Sequence, residues 1–502
     1  MIRRRSILEV TAAAIALTAL DPKGVFADTT ASGWSQLGQS LQGRLVMPSS
    51  TDYATAKQLD LMQFDTVNPQ AIAYCASPAD AATCLKFAQD NVVPFAVRSG
   101  GHSLGGYSTT PGLVIDVSGL NSVSVTGGSA VIGPGAQMVD ITNGLAPAGL
   151  AIAGGMCPTV AAGGFLQGGG IGMLTRSLGI ACDSITSAQV VLADGSQVTA
   201  SATQNSDLLW ALKGGGGGNF GIVTSYTVTP TPLTQLAIAN LTWTYDHAVD
   251  ALDGFTRWLV SAPRTISGAV SITLDDAAPG NTPTVAVLLV STGSTTELNS
   301  EVARLISMTA APTGQQTAVV PYQALMMGFY GCATDTVAQC HRIGPNSQGV
   351  LQRHPFGVER NRLFSGPVSR CFWQQAVNVF NTGRQAGPTY RLQVIALGGA
   401  ANDPSRTQTA FVHRDSQYLV NYVGSAATAP VPDSVAAAAR QWATTGFNVI
   451  SPYSNGESYQ NFIDAALTNW QYAYYAENYP RLAVIKAKYD PYGAFSFAQS
   501  IG

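Results

Sequence analysis

Charge is scarce in this chain. Asp, Glu, Lys and Arg make up 11% of its 502 residues, less than half of the ~25% usual for globular proteins. The formal net charge is −3. Beyond Arg3, Arg4 and Arg5 there is no basic run, which argues against nucleic acid as a partner. Histidine is rarer still, with five in the whole chain. The five are scattered, and neither an H-E-x-x-H nor a C-x-x-C pair occurs. A metal hydrolase is therefore disfavoured, and no metal ligand is assigned. No Gly-Lys-Ser/Thr follows a glycine cluster, which removes a Walker loop. The spacing around those clusters does not fit a Rossmann nicotinamide site either. After residue 27 no apolar run approaches the roughly 20 residues that span a bilayer.

What is present is apolar bulk and glycine. Hydrophobic residues are 46% of the chain, enough for a large core in two or three domains. Residues 1–27 read as an export signal. Arg3, Arg4 and Arg5 precede Ser6-Ile7-Leu8, an apolar stretch runs from Val10 to Leu20, and Val25-Phe26-Ala27 ends in a small-residue cleavage site. The adjacent arginines resemble the twin-arginine type, although Glu9 stands where that pattern often has lysine. A periplasmic or secreted protein without stable membrane association after signal removal is expected. Seven cysteines are an odd count for an exported chain. Cys75 with Cys84, or Cys332 with Cys340, could form a disulfide; Cys157, Cys182 and Cys371 have no sequence neighbour.

Residues 71–98 read as a β-α-β unit in which Ser77 caps the helix and Pro78 opens its first turn. Asp194-Gly195 joins two strands within 188–201 as a tight hairpin. A helix capped by Asn205 or Ser206 stops at the glycine run 214–218. "TPTPL", 229–233, reads as a linker. From 235 to 450, strand-like and helical runs alternate, as in a sheet covered by helices. The tail carries a helix begun near Pro480 and stopped by Asp490-Pro491.

Three glycine-rich segments carry the chemistry. In "VRSGGHSLGG", 97–106, a strand ends in residues that expose backbone N–H groups without side chains in the way, a concavity suited to a pyrophosphate. Glycine there also admits a flat ligand close to the backbone, with His102 beside it. "GGMCPTVAAGGFLQGGGIGML", 154–174, repeats the design around Cys157. "LWALKGGGGGNFGIVTSY", 209–226, leads from five glycines directly into an apolar strand, which a flexible linker rarely does.

In this order, the three segments and the tail "YYAENYPRLAVIKAKYDPYGAFSFAQSI" resemble the FAD-linked oxidases of the berberine bridge enzyme type, within the vanillyl-alcohol oxidase/p-cresol methylhydroxylase superfamily. The match covers about 65–228 and 474–501, with a weaker central motif at 410–422. The resemblance implies an α+β fold, with a two-part FAD-binding domain from 28–230 and 455–502. A substrate domain, 231–454, would hold an antiparallel sheet covered by helices. It also implies a flavin bonded to His102 at its 8α carbon. Cys157 implies a second bond at C6, as in the bicovalent group that includes aclacinomycin oxidoreductase and the oligosaccharide oxidases. Arg98, Ser99, Gly100, Gly101 and Ser103 match pyrophosphate positions. Gly163, Gly164, Gly168, Gly172, Asp183, Ile222 and Val223 match positions lining the cofactor, and Tyr475 and Asn478 lie near its ring.

The catalytic base departs from the family pattern. Phe462 stands where many members have the tyrosine that takes the substrate's proton. Before Gly398-Gly399, where a second tyrosine would stand, the chain has Ala396 and Leu397. Tyr418 and Tyr422, alternating with apolar neighbours on one strand, are the candidate replacements if they face the flavin. The resulting expectation is an exported oxidase. It would pass hydride from an alcohol on a sugar or glycosylated metabolite to FAD, then to O2, giving H2O2. The alternatives are a dehydrogenase or ring-forming oxidase of an aromatic or alkaloid-like compound, and a non-catalytic carbohydrate-binding flavoprotein.

Overall fold

A computed structural model describes residues 30–502; the export signal expected at 1–27 lies outside the described residues. Strand Ala71–Tyr74, helix Pro78–Asp90 and strand Phe95–Arg98 form the β-α-β unit read from the sequence. Ser77 Oγ accepts from Asp80 N at 3.2 Å, and Pro78 sits in the first turn, where an N–H would have no intrahelical partner. The buried Asp80 carboxylate also takes the N–H groups of Gln42, Gly43 and Ala76 at 2.8–2.9 Å. Strand Leu113–Asp116 lies between the two parallel strands, and Arg44–Val46 adds an antiparallel edge.

A second, five-stranded antiparallel sheet contains the hairpin of Ile185–Val191 and Gln197–Ser201. Its turn uses Gly195 at φ +82°, a left-handed conformation that suits glycine. The segment "TPTPL" is not a loose linker. Thr231–Pro232 pairs with Leu150–Ala151, and Leu233 N donates to Gly149 O at 2.8 Å. Backbone pairing to a short neighbouring strand overrides the proline signal here.

The third sheet has seven antiparallel strands. Their order is Gly314–Pro321, Gln235–Trp243, Thr284–Ser291, Ile266–Leu274, Pro388–Ala396, Tyr418–Ala426 and Phe356–Phe364. Helices Ala248–Leu259, Thr295–Ile306, Arg370–Asn378 and Asp433–Ile450 contribute to the core on one face. The opposite face packs against the half of the chain that carries the glycine-rich segments, with Leu363, Ile395 and Leu419 in a core shared with Phe165 and Tyr459.

Successive strand residues point to opposite faces, and this decides the fate of two proposed catalytic residues. Tyr418, Val420 and Tyr422 belong to the helix-covered core. Tyr418 Oη donates to Gly366 O at 2.8 Å, and Tyr422 Oη to Ala376 O at 2.9 Å. Neither tyrosine faces the cavity described below; they are core residues whose hydroxyls are satisfied by backbone carbonyls. Tyr418→Phe is expected to leave turnover unchanged and to lower stability by about 1 kcal/mol, the worth of one buried hydrogen bond, as read by denaturant melts.

The tail returns to the first half. Helix Tyr479–Tyr489 places the buried Lys486 ammonium on Asn219 O at 2.7 Å, Phe495 O at 2.6 Å and the Asp490 carboxylate at 2.6 Å. Cys332 and Cys340 form a disulfide. Cys75 and Cys84 are buried free thiols.

Candidate functional site

The glycine-rich half and the seven-stranded sheet enclose a cavity of about 860 Å³. One wall is built from the glycine segments, including Ser99, Gly100, Gly101, His102 and Ser103, and Cys157, Gly163, Gly164 and Gly172. Ile222, Val223 and Tyr475 continue it. The loop after strand Phe95–Arg98 makes no hydrogen bond through the backbone N–H groups of Ser99, Gly100, Gly101 or His102 within the described residues. Glycine is needed in it twice over. Gly101 has φ +71°, and a Cβ on Gly100 would lie 2.8 Å from Ala161 N.

His102 Nε2 is 2.8 Å from Thr159 Oγ1, and its Nδ1 is 3.6 Å from Asp60 Oδ2. Burial lowers the imidazole's pKa, against the pull of Asp60. Asp60 also bonds Nδ1 of His354 at 2.8 Å. Burial opposes its ionisation, yet His102 and His354 hold its carboxyl down at about 2. The Cys157 thiol is pushed up to about 12, first by burial and then by Asp60 and Glu359. A bond through its sulfur therefore requires a proton acceptor within reach.

The facing wall comes from the sheet. Glu359, Arg391, Gln393, Asn421 and Val423 point into the cavity, on the faces opposite to Tyr418 and Tyr422. Asn421 Nδ2 donates to Glu359 Oε2 at 2.7 Å. Burial raises the Glu359 carboxyl above the ordinary carboxylate range, only partly countered by Asn421, Arg391 and His354. Phe462 lines the cavity and has no titratable group. Tyr459 lines it too, but its oxygen already accepts from Gly170 N at 2.9 Å, Ile171 N at 3.2 Å and Asn461 Nδ2 at 2.9 Å.

Four matched positions stand outside the cavity lining. Arg98 turns away, bonded to Asp116 and, at 3.5 Å, to Tyr74 Oη. A buried guanidinium needs a counter-charge, and Asp116 supplies it on the far side of the glycine loop. Gly168 packs on Asn461, whose Oδ1 would overlap a Cβ there. Asp183 forms a two-pronged ion pair with Arg414 at 2.6 and 2.8 Å. Asn478 donates to Arg406 O at 2.8 Å and Thr409 O at 3.2 Å. The last three brace the cradle from behind. The sequence reading missed Glu359 and Asn421; an isolated carboxamide in the otherwise apolar "YLVNYVGSA" was the available signal for the cavity face.

The lining suits a large cofactor with polar groups along its length. The free N–H groups of 99–102 await an anion. Among the described residues, buried Gln167 Oε1, Asn421 Oδ1 and Gln499 Oε1 are acceptors without partners, and all three residues line the cavity. A Cβ on Gly164 would meet nothing within 4 Å, so a side chain there would enter the space. Gly164→Leu should fold at least as stably as the native protein, since leucine is the better helix former. It should take up little FAD, as measured by flavin absorbance per chain.

A two-part cradle of glycine loops against an antiparallel sheet defines a flavin-dependent oxidoreductase. The FAD binding domain family matches residues 69–201, and the berberine and berberine-like family matches residues 458–502. An uncharacterized FAD-linked oxidoreductase of Bacillus subtilis, YgaK, is 30% identical over 476 residues, covering 92% of this chain and 97% of that protein. The chain belongs to the berberine bridge enzyme-like FAD-linked oxidoreductases. Chitooligosaccharide oxidase of Gibberella zeae is 29% identical, over 86% of this chain and 87% of its own. (R)-6-hydroxynicotine oxidase of Paenarthrobacter nicotinovorans is 28% identical, over 91% and 96%. A solved structure of chitooligosaccharide oxidase superposes with a TM-score of 0.80 at 25% identity, covering 94% of this chain and 98% of that one.

Proposed function

We propose that this FAD-linked oxidoreductase is an oxidase of CH–OH groups on sugars or glycosylated metabolites, with FAD attached through both His102 and Cys157. One observation carries the reading. The His102 imidazole and the Cys157 thiol share a cavity with a wall of Glu359, Asn421, Gln393 and Arg391, a set of hydroxyl-binding groups. FAD, when bound, supplies the two-electron acceptor for a substrate C–H bond. Glu359 is the proton acceptor for the substrate hydroxyl. Its raised pKa brings its basicity closer to working pH, as efficient proton transfer favours. Asn421 orients the carboxylate through the 2.7 Å bond.

A second reading follows from the same carboxylate, because a buried anion also suits a cationic amine. Peroxide release by the flavin-loaded protein, screened in parallel across oligosaccharides, polyketide glycosides and secondary amines, separates the two. Turnover of a sugar or glycoside supports the first; turnover confined to amines replaces it with the second. Peroxide-free turnover that needs a dye would make the protein a dehydrogenase.

The arrangement of 28–230 with 455–502 as the FAD part, and of 231–454 as the substrate part, belongs to the same proposal. So does export through residues 1–27 to the periplasm or medium, which the Cys332–Cys340 disulfide suits because disulfides persist in oxidising compartments. The mass of the mature protein recovered from that compartment tests the cleavage.

A further inference from the structure

Behind the glycine loop lies a second cavity, of about 680 Å³, that the flavin reading does not use. Ser99, Gly100 and Gly101 line both spaces, so the loop is their common wall. The other side of the second cavity comes from 337–347, a segment that follows the disulfide-bonded Cys332 and includes Cys340.

Its two arginines are incompletely partnered among the described residues. The Arg98 side chain is only 5% exposed. Its Nε is taken by Asp116 and its Nη2 reaches Tyr74 Oη, but Nη1 is buried with no partner. The other oxygen of Asp116 accepts from both the backbone and the hydroxyl of Ser118. Arg342 faces the same space and has neither a hydrogen bond nor an ion pair from its side chain within the described residues. Burial lowers its pKa; the Asp60 carboxylate opposes this, and Arg98 and Arg353 add to it. The Asp140 carboxylate, also in the lining, lies 3.1 Å from His341 Nε2. Among the described residues the Arg342 side chain thus has no hydrogen-bonded partner, and it faces the same space as Arg98, whose inner nitrogen is unsatisfied.

A guanidinium nitrogen buried without a partner, as in Arg98, is costly, and half-buried Arg342 lines the same cavity. Guanidinium forks match the oxygens of phosphate and carboxylate. We propose that this cavity is a binding site for a small oxyanion, a phosphate or a carboxylate borne by a small molecule, held between Arg98 and Arg342. It is separate from the flavin and substrate cavity.

Calorimetric titration of inorganic phosphate, and separately of acetate, into the flavin-loaded protein tests this. The loaded flavin keeps the main cavity's anion-binding loop engaged. A saturable single site for either anion, weakened at least tenfold in Arg342→Gln and unchanged in Arg391→Gln, is the expected result. The anion that saturates identifies the chemistry. Flavin absorbance per chain confirms that each variant is folded, and Arg342→Lys, which keeps the charge, should retain part of the affinity. Absence of saturable binding by either anion in the native protein overturns the proposal. So does binding that survives in Arg342→Gln, or that is lost in Arg391→Gln instead, which would place the anion in the substrate site. None of these outcomes depends on which substrate is oxidised.

Discussion

Glu359→Gln should lower kcat/KM by about 10²–10⁴-fold, the usual worth of a positioned general base, with flavin absorbance per chain unchanged. The carboxyl faces the cavity, and burial raises its pKa. It accepts a proton only when ionised, so kcat/KM of the native protein should climb with pH through a value above the ordinary carboxylate range. The variant should lose that acid limb. Linkage separates this effect from unfolding. A carboxyl whose pKa is higher folded than unfolded stabilises the fold most at low pH, and that contribution is lost as pH rises through the folded value. At neutral pH the neutral glutamine is therefore expected to be no less stable than glutamate. An unchanged kcat/KM and pH profile in Glu359→Gln would remove this residue from proton transfer.

The second large effect concerns attachment. Native protein that is unfolded and acid-precipitated should carry all of its flavin into the pellet. The double variant His102→Ala/Cys157→Ala should release all of it to the supernatant, and each single variant should still retain it. The two side chains line one cavity although they are separated by more than fifty positions, so each can hold the same ring independently. Flavin in the native supernatant would leave only non-covalent binding. Loss in one single variant alone would reduce the linkage to a single bond.

Much of the cradle was legible because backbone geometry dictates residue type there. Only glycine tolerates Gly101's φ and the approach of Gly100 to Ala161, so the loop advertises itself. The Ser77-Pro78 helix start and the Asp194-Gly195 turn are equally local in origin. The substrate wall was not legible, and the reason is burial on both faces. Every residue of strand Tyr418–Ala426 except Ser425 is buried, so alternation of polar and apolar residues gives no sign of which side meets the cavity. Tyrosine can satisfy its hydroxyl on a backbone carbonyl, and Tyr418 and Tyr422 do so under the helices. Glu359 escaped for a related reason. Its strand, "FGVERNRLF", mixes charge and apolar residues without period two. Arg360 and Arg362, on the opposite face from Glu359, are also mostly buried, paired with Asp464 at 2.7 Å and bonded to Gly456 O at 2.8 Å. Residues joined across a fold by ion pairs leave no trace in local spacing.

Phe95 and Phe497 line one cavity, and Lys486 ties the helix before Phe497 to Asn219. A ribosome must add some four hundred residues after the first part of the cradle before the other part exists. Cofactor capture is thus a late event in biogenesis, and any nascent chain halted before about residue 495 would emerge colourless however well its earlier sheets had formed.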